Sequence, residues 1–443
     1  MEASLQEILD AREARVCRQR QLLAQFQKPL LCFTMNIPGP EKQNRDVDIG
    51  FFVGNRLLRE ALGNRVLFWE ERLQNAGWEA FYVTDLPAKE LKGIAVELEA
   101  VDPIGRLFDM DVLDTDGTKL SRSQLGLPGR KCLLCDREAA VCASRRAHPL
   151  EELRDKTGFL LYLTARQYLA EYIAVQAFLA LNREVSTTPK PGLVDRDNRG
   201  SHKDMDIRHF FASANALRPY FCRFAEAGYL SRDDQPGEAF ARIRSIGIEA
   251  EAAMKAATGG VNTHKGAIFS LGILCAAAGR LSPMQWQPER LLAECAAMTE
   301  GLVEADFAHV TEENAKTAGQ RLYLRYGITG VRGQAEQGFP AVRDVGLPIF
   351  QQGLHRGLSV NDAGCVALLH LIAATEDTNL IHRSDRQTQL RLQADMQKLL
   401  KDDPFPSMDT IRRLDQQYIE QNLSAGGCAD LLALTYFLHF ITQ

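Results

Sequence analysis

The most informative stretch of this sequence is the segment 189–206, which places cations, carboxylates and a histidine between two apolar runs. Pro189 and Pro191 fix their φ angles and disfavour a helix, so irregular backbone is predicted here. A loop of this length in a helical region is uncommon unless it binds something. Its side chains suit a polyphosphate substrate with a metal ion. The candidates are Lys190, Asp195, His202, Lys203, Asp204 and Asp206.

A glycine-rich turn at residues 258–266 is the second polar segment, and it is predicted to lead into a helix. Such a turn presents backbone N–H groups to phosphate at a helix N-terminus. The spacing differs from Gly-x4-Gly-Lys-Ser/Thr, which disfavours a P-loop ATPase. Upstream, Glu251 is the carboxylate nearer to the turn and a candidate catalytic residue. The candidate substrate-binding residues of the turn are Asn262, His264 and Lys265.

Three further polar segments interrupt the apolar runs, at residues 327–340, 376–379 and 423–430. Taken alone, each is better explained as a helix cap or a glycine stop. Five polar segments in one helical region instead indicate a site assembled from several facing helices. The candidate substrate-binding residues here are Arg332, Asp377, Asn379 and Asp430.

In the N-terminal part, Asp109 and Asp111 are the residues best suited to catalysis. Residues two apart on a strand point to the same face, so the two carboxylates are predicted to lie side by side. Paired carboxylates hold Mg²⁺, and Arg106 just before them offers a guanidinium to phosphate. The pattern is weak on its own, and the alternative is an edge strand with solvated acids. Asn36 and Lys42 lie in or beside a turn that either binds substrate or is only a turn.

A zinc site is suggested by four residues whose types and spacing match those of zinc ligands: Cys132, Cys135, Cys142 and His148. Three cysteines and a histidine make a complete ligand set for zinc. The alternative is a cluster of packed cysteines in a reduced protein. Several arginine and lysine residues nearby would lower the pKa of these thiols.

The composition is that of an ordinary soluble protein of 443 residues, 45% hydrophobic and 25% charged, with a formal net charge of −5. This mild acidity argues against a broad nucleic-acid-binding surface. The longest apolar runs are too short for a bilayer, and the N-terminus lacks the apolar core of a signal peptide. Ten cysteines in so long a chain do not indicate a disulfide framework. We therefore expect a reduced, cytoplasmic protein without nucleic-acid or membrane partners.

The pattern of the sequence changes near residue 155, which predicts two domains, 1–155 and 156–443. The first is predicted to be α+β, because helices alternate with short β-rich segments. Its predicted strands are 30–35, 78–83, 94–98 and 108–112, and its predicted helices are 5–26 and 51–75. The second is predicted to be all-α, because nearly every segment has a 3.6-residue period. Its predicted helices are 160–181, 205–227, 238–257, 267–280, 289–307, 314–326, 360–374, 386–401, 408–422 and 429–442.

The polar segments of the second domain together resemble the triphosphoribosyl-dephospho-CoA synthase family over residues 159–443. The matching motifs are Pro189-Lys-Pro-Gly-Leu-Val-Asp195-Arg, Gly200-Ser-His-Lys-Asp-Met205, Gly260-Val-Asn-Thr-His-Lys-Gly266, Arg332-Gly-Gln-Ala-Glu336, Asp377-Thr-Asn379 and Gly426-Gly-Cys-Ala-Asp430. The sequence departs from the family pattern at Ser201 (alanine expected), Gln334 (glutamate expected) and Glu376 (glycine expected). The change at Gln334 weakens a metal-binding role for that position.

The first domain is similar to the apo-citrate lyase phosphoribosyl-dephospho-CoA transferase family over residues 5–155. The matching motifs are Asn36-Ile-Pro-Gly-Pro40, Gly105-Arg-Leu-Phe-Asp-Met-Asp-Val112, and Cys132-Leu-Leu-Cys135 with Cys142 and His148. The whole chain thus resembles a bifunctional fusion of two enzymes. This resemblance implies a nucleotidyltransferase-like N-terminal domain and a C-terminal helical bundle.

The resemblance also implies two reactions. The C-terminal domain would join ATP to 3′-dephospho-CoA: the 2′-hydroxyl attacks C1 of the ATP ribose and adenine leaves. Such a glycosyl transfer needs a base and an acid, and Asp204, Asp206 or Glu251 could be the base or a metal ligand. The N-terminal domain would transfer the phosphoribosyl-dephospho-CoA unit to a serine of the citrate lyase acyl carrier (gamma) subunit, releasing pyrophosphate. Mg²⁺ at Asp109 and Asp111 would assist that step.

Two other classes of function fit parts of this pattern. A metal-dependent nucleotide hydrolase would also use helix-borne acids and a phosphate loop, but it would not depend on dephospho-CoA. A non-catalytic assembly factor for the lyase would need binding surfaces without the polar segments. The products formed from ATP and dephospho-CoA distinguish these three classes.

Overall fold

A computed structural model describes residues 3–443, which form two compact units. The first unit extends to Leu169 and includes the short segment Ser282–Met284. The second unit consists of Ala170–Leu281 and Gln285–Gln443. Each unit has its own candidate site.

The first unit contains a small antiparallel sheet with helices, in line with the predicted α+β class. The strand order is β2-β3-β1-β4. The strands are β1 (Leu30–Met35), β2 (Val66–Gln74), β3 (Gly77–Thr84) and β4 (Phe108–Leu113). The helices are α1 (Leu5–Phe26), α2 (Arg45–Leu62), α3 (Ala88–Leu98), α4 (Ala139–Ser144) and α5 (Leu150–Thr164). Residue 155, the predicted domain boundary, lies within α5.

Strand β4 is an edge strand whose alternate residues have different environments. Its buried residues are Phe108, Met110 and Val112. Asp111 is paired with Cys32 of β1, and directly opposed residues of an antiparallel pair share a face. Cys32 packs in a cluster with Leu22 of α1. The two aspartates of β4 therefore lie on the same face of the sheet as α1.

The second unit is mostly helical, as predicted. Its helices are α6 (Ala170–Ser186), α7 (Ile207–Leu230), α8 (Pro236–Ala257), α9 (Lys265–Arg280), α10 (Pro288–Met298), α11 (Leu302–Phe307), α12 (Ala318–Tyr326), α13 (Gly330–Glu336), α14 (Leu347–His355), α15 (Val360–Ala374), α16 (Thr378–Arg383), α17 (Arg386–Asp402), α18 (Met408–Glu420) and α19 (Gly426–Ile441). Helix α9 is buried from Ala267 almost without interruption to Arg280, and it packs against α7, α8, α10 and α19. A helix that is apolar on all sides belongs in a core.

Three predicted elements were wrong in type or extent. Residues 94–98 belong to α3 rather than to a strand, because the buried positions of that segment recur every three or four residues. The predicted helix 51–75 ends at Leu62, and β2 follows as a charged edge strand with alternating exposure. The predicted helix 289–307 is divided between α10 and α11 by Gly301, whose φ of 73° an L-residue rarely adopts.

Between residues 3 and 443, no helix combines the length and the apolar character that crossing a bilayer requires.

Candidate functional site

A cavity of about 650 Å³ lies in the second unit. All five polar segments identified in the sequence contribute to its wall. The predicted site residues that line it are Lys190, His202, Asp204, Asn262, His264, Lys265, Asp377, Asn379 and Asp430. Residues far apart in the sequence are therefore brought to one place, and the volume is in the usual range for small-molecule sites.

The loop between α6 and α7 is held against the second half of the unit by hydrogen bonds. The backbone N–H of Gly192 donates to Asp415 of α18 at 2.9 Å. Ser201, where the family pattern has alanine, donates its hydroxyl to the carbonyl of Leu423 at 2.6 Å. A Cβ at Gly192, whose φ is 66°, would lie 2.1 Å from that same carbonyl oxygen, so only glycine fits.

Two predicted carboxylates shape the backbone and do not line the cavity. Asp195 is buried and accepts hydrogen bonds from the backbone N–H groups of Lys190 (3.1 Å), Asp197 (2.8 Å) and Asn198 (3.0 Å). Asp206 caps the N-terminus of α7, and its hydrogen bonds with the side chains of Arg208 and His209 hold its pKa below the ordinary range. Both carboxylates satisfy backbone donors, which is the common use of such residues beside turns and helix ends.

Three further predicted residues lie outside the cavity wall. Arg332 pairs with Asp306, with its Nε 2.6 Å from the carboxylate. The Oε1 atom of Glu251 lies 3.0 Å from the Nζ of Lys265, so this acid contacts a cavity residue without lining the cavity itself. Lys203 is exposed.

Three carboxyl groups lie together in the cavity wall. Glu184 is buried and forms an ion pair with the equally buried Lys190, so the ammonium group of Lys190 already has a carboxylate partner. Asp377 accepts backbone hydrogen bonds at the start of α16 and from the N–H of Cys428 at 2.8 Å. Asp430 lies against the first turn of α9: a Cβ at Gly266 would be 2.0 Å from its Oδ2. Burial and the charges of Glu184 and Asp377 raise the pKa of Asp430 well above its ordinary value.

Four buried polar atoms around the cavity have no hydrogen-bond partner within residues 3–443. They are Thr263 Oγ1, His264 Nε2, Ser270 Oγ and Thr375 Oγ1. Such atoms are rare in folded proteins because each costs the free energy of its lost hydration. All four belong to residues that line the cavity.

His264 is the most informative of these residues. Its Nδ1 is 2.7 Å from the hydroxyl of Ser213, while its Nε2 lies among the unpartnered atoms. Burial lowers the pKa of this imidazole to about 3, so the ring is neutral at physiological pH. A neutral ring can donate or accept one hydrogen bond at Nε2, depending on its tautomer.

Sequence reasoning missed two charged residues of the wall, Glu184 and Arg383. Arg383 donates to the carbonyl of Ser201 at 2.8 Å, and its Nη1 lies 3.2 Å from Nδ1 of His202. Desolvation and this positive charge lower the pKa of His202. Arg383 could have been recognised in the sequence because it follows soon after the Asp377-Thr-Asn379 motif.

In the first unit, Asp109 and Asp111 do lie side by side on an accessible face. Their side chains are 51% and 31% exposed. The Nζ of Lys119 is 2.6 Å from Asp111, and Nη1 of Arg130 is 4.0 Å from Asp109. Desolvation and the neighbouring Asp111 raise the pKa of Asp109. The arrangement offers hard oxygen ligands for a divalent cation, with cations nearby for phosphate.

The other candidates of the first unit contact backbone groups. The N–H of Asn36 donates to Leu107 O at 2.7 Å, which places the turn after β1 beside the start of β4. The side chain of Asn36 is exposed, whereas the ammonium of Lys42 donates to the carbonyl of Ile37. Arg106 donates to the carbonyl of Cys132 at 2.7 Å, and so connects the aspartate strand to the cysteine segment.

The four predicted zinc ligands also lie together. All of their ligand atoms are within 4.8 Å of one another. The Sγ of Cys135 lies 3.5 Å from that of Cys142 and 3.4 Å from Nε2 of His148. Cys132 and Cys142 are buried, and Cys135 is half-buried.

Comparison with known proteins relates each unit to one family. The model of the ATP:dephospho-CoA triphosphoribosyl transferase family matches residues 170–443. The model of the apo-citrate lyase phosphoribosyl-dephospho-CoA transferase family matches residues 3–161. The first of these matches covers the second unit with its cavity, and the other lies in the first unit with its aspartate pair.

Two relatives match nearly the whole chain, and a third matches about two thirds of it. Protein CitXG of Haemophilus influenzae is 37% identical over 99% of this chain and 96% of its own length. Protein CitXG of Leuconostoc mesenteroides subsp. cremoris is 34% identical over 98% of this chain and 96% of its own length. The 2-(5''-triphosphoribosyl)-3'-dephosphocoenzyme-A synthase of Pectobacterium atrosepticum is 41% identical, over 66% of this chain and 99% of its own length. The chain therefore belongs to the apo-citrate lyase phosphoribosyl-dephospho-CoA transferase and ATP:dephospho-CoA triphosphoribosyl transferase families, joined in one bifunctional transferase of citrate lyase prosthetic-group biosynthesis.

Proposed function

We propose that residues 156–443 carry the synthase and residues 1–155 the transferase, each with its own site. The synthase makes 2′-(5″-triphosphoribosyl)-3′-dephospho-CoA from ATP and 3′-dephospho-CoA and releases adenine. The transferase attaches the phosphoribosyl-dephospho-CoA group to a serine of the citrate lyase acyl carrier subunit and releases pyrophosphate. The observation that carries this assignment is the cavity of the second unit, whose wall is formed by all five polar segments.

In the first reaction a bond forms between the 2′-oxygen of dephospho-CoA and C1 of the ATP ribose, while the bond from C1 to adenine breaks. The attacking hydroxyl loses a proton and the adenine gains one, so a base and an acid are needed. We assign the acid to Asp430, because its raised pKa keeps a proton available. We assign the base to Asp204, a cavity carboxylate whose side chain is 66% exposed.

In the second reaction the serine hydroxyl oxygen attacks the phosphorus atom next to the ribose, the bond to pyrophosphate breaks, and the hydroxyl proton is released to solvent. Asp109 and Asp111 fit Mg²⁺ by the chemistry of their oxygen atoms and by their common face. Bound there, Mg²⁺ would neutralise the triphosphate. Lys119 and Arg130 are placed to stabilise the departing pyrophosphate, because phosphate oxygens accept charge-assisted hydrogen bonds from such groups.

Product analysis tests this proposal directly. The pure chain should release adenine from ATP only when 3′-dephospho-CoA is present, and the product should have the mass of the triphosphoribosyl adduct. With the carrier subunit added, the carrier should gain the mass of the prosthetic group and pyrophosphate should appear. Phosphate release from ATP alone would instead indicate a nucleotide hydrolase.

Lys265 allows a test with a matched control. Lys255 and Lys265 both form ion pairs with Oε1 of Glu251, at 2.7 and 3.0 Å, but only Lys265 lines the cavity. Lys265→Ala should raise the KM for ATP at least about tenfold, since a charged hydrogen bond contributes roughly 1.5–3 kcal/mol. Lys255→Ala should leave that KM unchanged. Equal effects of the two substitutions on steady-state adenine release would contradict a phosphate-binding role for Lys265.

A further inference from the structure

We propose that Cys132, Cys135, Cys142 and His148 bind one Zn²⁺ ion, and that this ion holds in place the hairpin that carries Arg130 beside Asp109. The metal would be structural, because the four side chains complete its coordination and leave no open position for substrate. The expected effect of zinc on carrier modification rests on the function proposed for Asp109, whereas the existence of the zinc site does not depend on that function.

The spacing of the ligand atoms supports this metal. Zinc–sulfur bonds of about 2.3 Å and zinc–nitrogen bonds of about 2.0 Å, arranged tetrahedrally, separate two sulfurs by about 3.8 Å and a sulfur from a nitrogen by about 3.5 Å. The corresponding separations from Cys135 are 3.5 Å to Cys142 Sγ and 3.4 Å to His148 Nε2. All four ligand atoms lie within 4.8 Å of one another, so the ligand set is complete without a side chain from elsewhere. Arg137 also donates to Cys135 Sγ, as expected beside a thiolate ligand.

The local backbone explains why a metal is needed. Residues 130–139 form a small hairpin, in which Cys132 N donates to Arg137 O and Ala139 N donates to Arg130 O, both at 2.7 Å. Helix α4, which follows, has only six residues. A segment this short buries too little apolar surface to fix its own conformation, and metal binding supplies that free energy in many small units.

The hairpin is hydrogen-bonded to Arg106, just before the strand that carries the two aspartates. Arg106, two residues before β4, donates to the carbonyls of Lys131 and Cys132. In return, Nη2 of Arg130 donates to Arg106 O at 2.9 Å. The Nη1 atom of Arg130 then lies 3.7 Å from Glu99 and 4.0 Å from Asp109. Arg130 is thus two residues from Cys132, the first zinc ligand, and lies next to the proposed Mg²⁺ site. The zinc ion would therefore fix the position of Arg130.

Metal analysis of the full-length protein tests the site without reference to activity. Protein purified without chelators should contain one zinc per chain, and replacement by Co²⁺ should give the visible absorption of tetrahedral cobalt with thiolate ligands. Cys135→Ser should lose the metal, whereas Cys17→Ser, an exposed cysteine outside the cluster, should keep it. Absence of zinc, or zinc retained by Cys135→Ser, would overturn the proposal, as would a disulfide between Cys135 and Cys142.

The two activities of the chain test the positioning role. Chelation of zinc should slow carrier modification at least about tenfold, the usual scale for losing support around a catalytic site, and added zinc should restore it. Adenine release should not change in the same sample. Arg130→Ala should retain zinc and yet lose transfer to a similar extent. Full transfer activity in the zinc-free protein would show that the ion does not position Arg130.

Discussion

Replacing Asp111 by asparagine is expected to reduce carrier modification about a thousandfold, while the same protein continues to release adenine from ATP and dephospho-CoA. The substitution keeps the shape of the side chain but removes the charge of one proposed Mg²⁺ ligand, which contributes several kcal/mol to the transition state. A loss of about 4 kcal/mol corresponds to about three powers of ten in rate. Supplying the purified intermediate and following the carrier by mass spectrometry measures this effect.

The control for Asp111 is Asp116, in the turn after β4. Asp116 accepts a hydrogen bond from Thr118 N at 2.8 Å and is exposed. Asp116→Asn should transfer normally. Adenine release by the Asp111 variant shows that its second unit is folded, and a circular dichroism spectrum of the whole chain equal to that of the wild type shows that the first is folded too. Normal transfer by Asp111→Asn would remove this residue from the proposed site.

Replacing Asp430 by asparagine is expected to slow adenine release by a factor of roughly 10²–10⁴, the usual contribution of a general acid. Transfer of supplied intermediate should be unaffected. Because the pKa of Asp430 is raised, the wild-type protein should also lose adenine release as the pH increases through that pKa and the proton leaves. The residual adenine release by Asp430→Asn should not decline over the same pH range. The measurement is adenine release across a pH series, by chromatography.

Stability measurements separate this effect from unfolding. A carboxyl whose pKa is higher in the folded protein favours folding at pH values below its unfolded pKa, and that contribution is lost as the pH rises through the folded value. At neutral pH the asparagine variant should therefore be at least as stable as the wild type in thermal unfolding. Asp344→Asn, at an exposed residue paired with Arg343, is the control. Unchanged adenine release by Asp430→Asn would rule out Asp430 as the acid.

Local patterns in the sequence were enough to predict several elements closely. The helix 5–26, the strand 30–35 and the helix 360–374 are confirmed with the predicted bounds. One failure occurred where a short segment is compatible with two periods: Ile94-Ala-Val-Glu-Leu98 alternates like a strand, yet the preceding residues extend it into α3. Tertiary packing decides such cases, since propensity differences are small.

The candidate site shows a different limit. Glycine, proline and charged residues between apolar runs identified the segments that form the cavity, but they could not separate the roles of individual carboxylates. Asp206 caps a helix whereas Asp430 faces the cavity, and both stand near a helix N-terminus in the sequence. Glu184 could not be recognised, because a single acid inside a regular helix gives no local signal and only the fold places it beside Lys190.

The alternation along β4 has a consequence for how this enzyme can change. Phe108, Met110 and Val112 are inaccessible to solvent, and the two aspartates between them are not. Substitutions at the three buried positions should therefore alter the melting temperature and leave the chemistry intact. Substitutions at the two aspartates should alter the chemistry and leave the melting temperature unchanged. Mutational libraries at Asp109 and Asp111 can consequently explore other metals or acceptors without first compensating for a weakened scaffold.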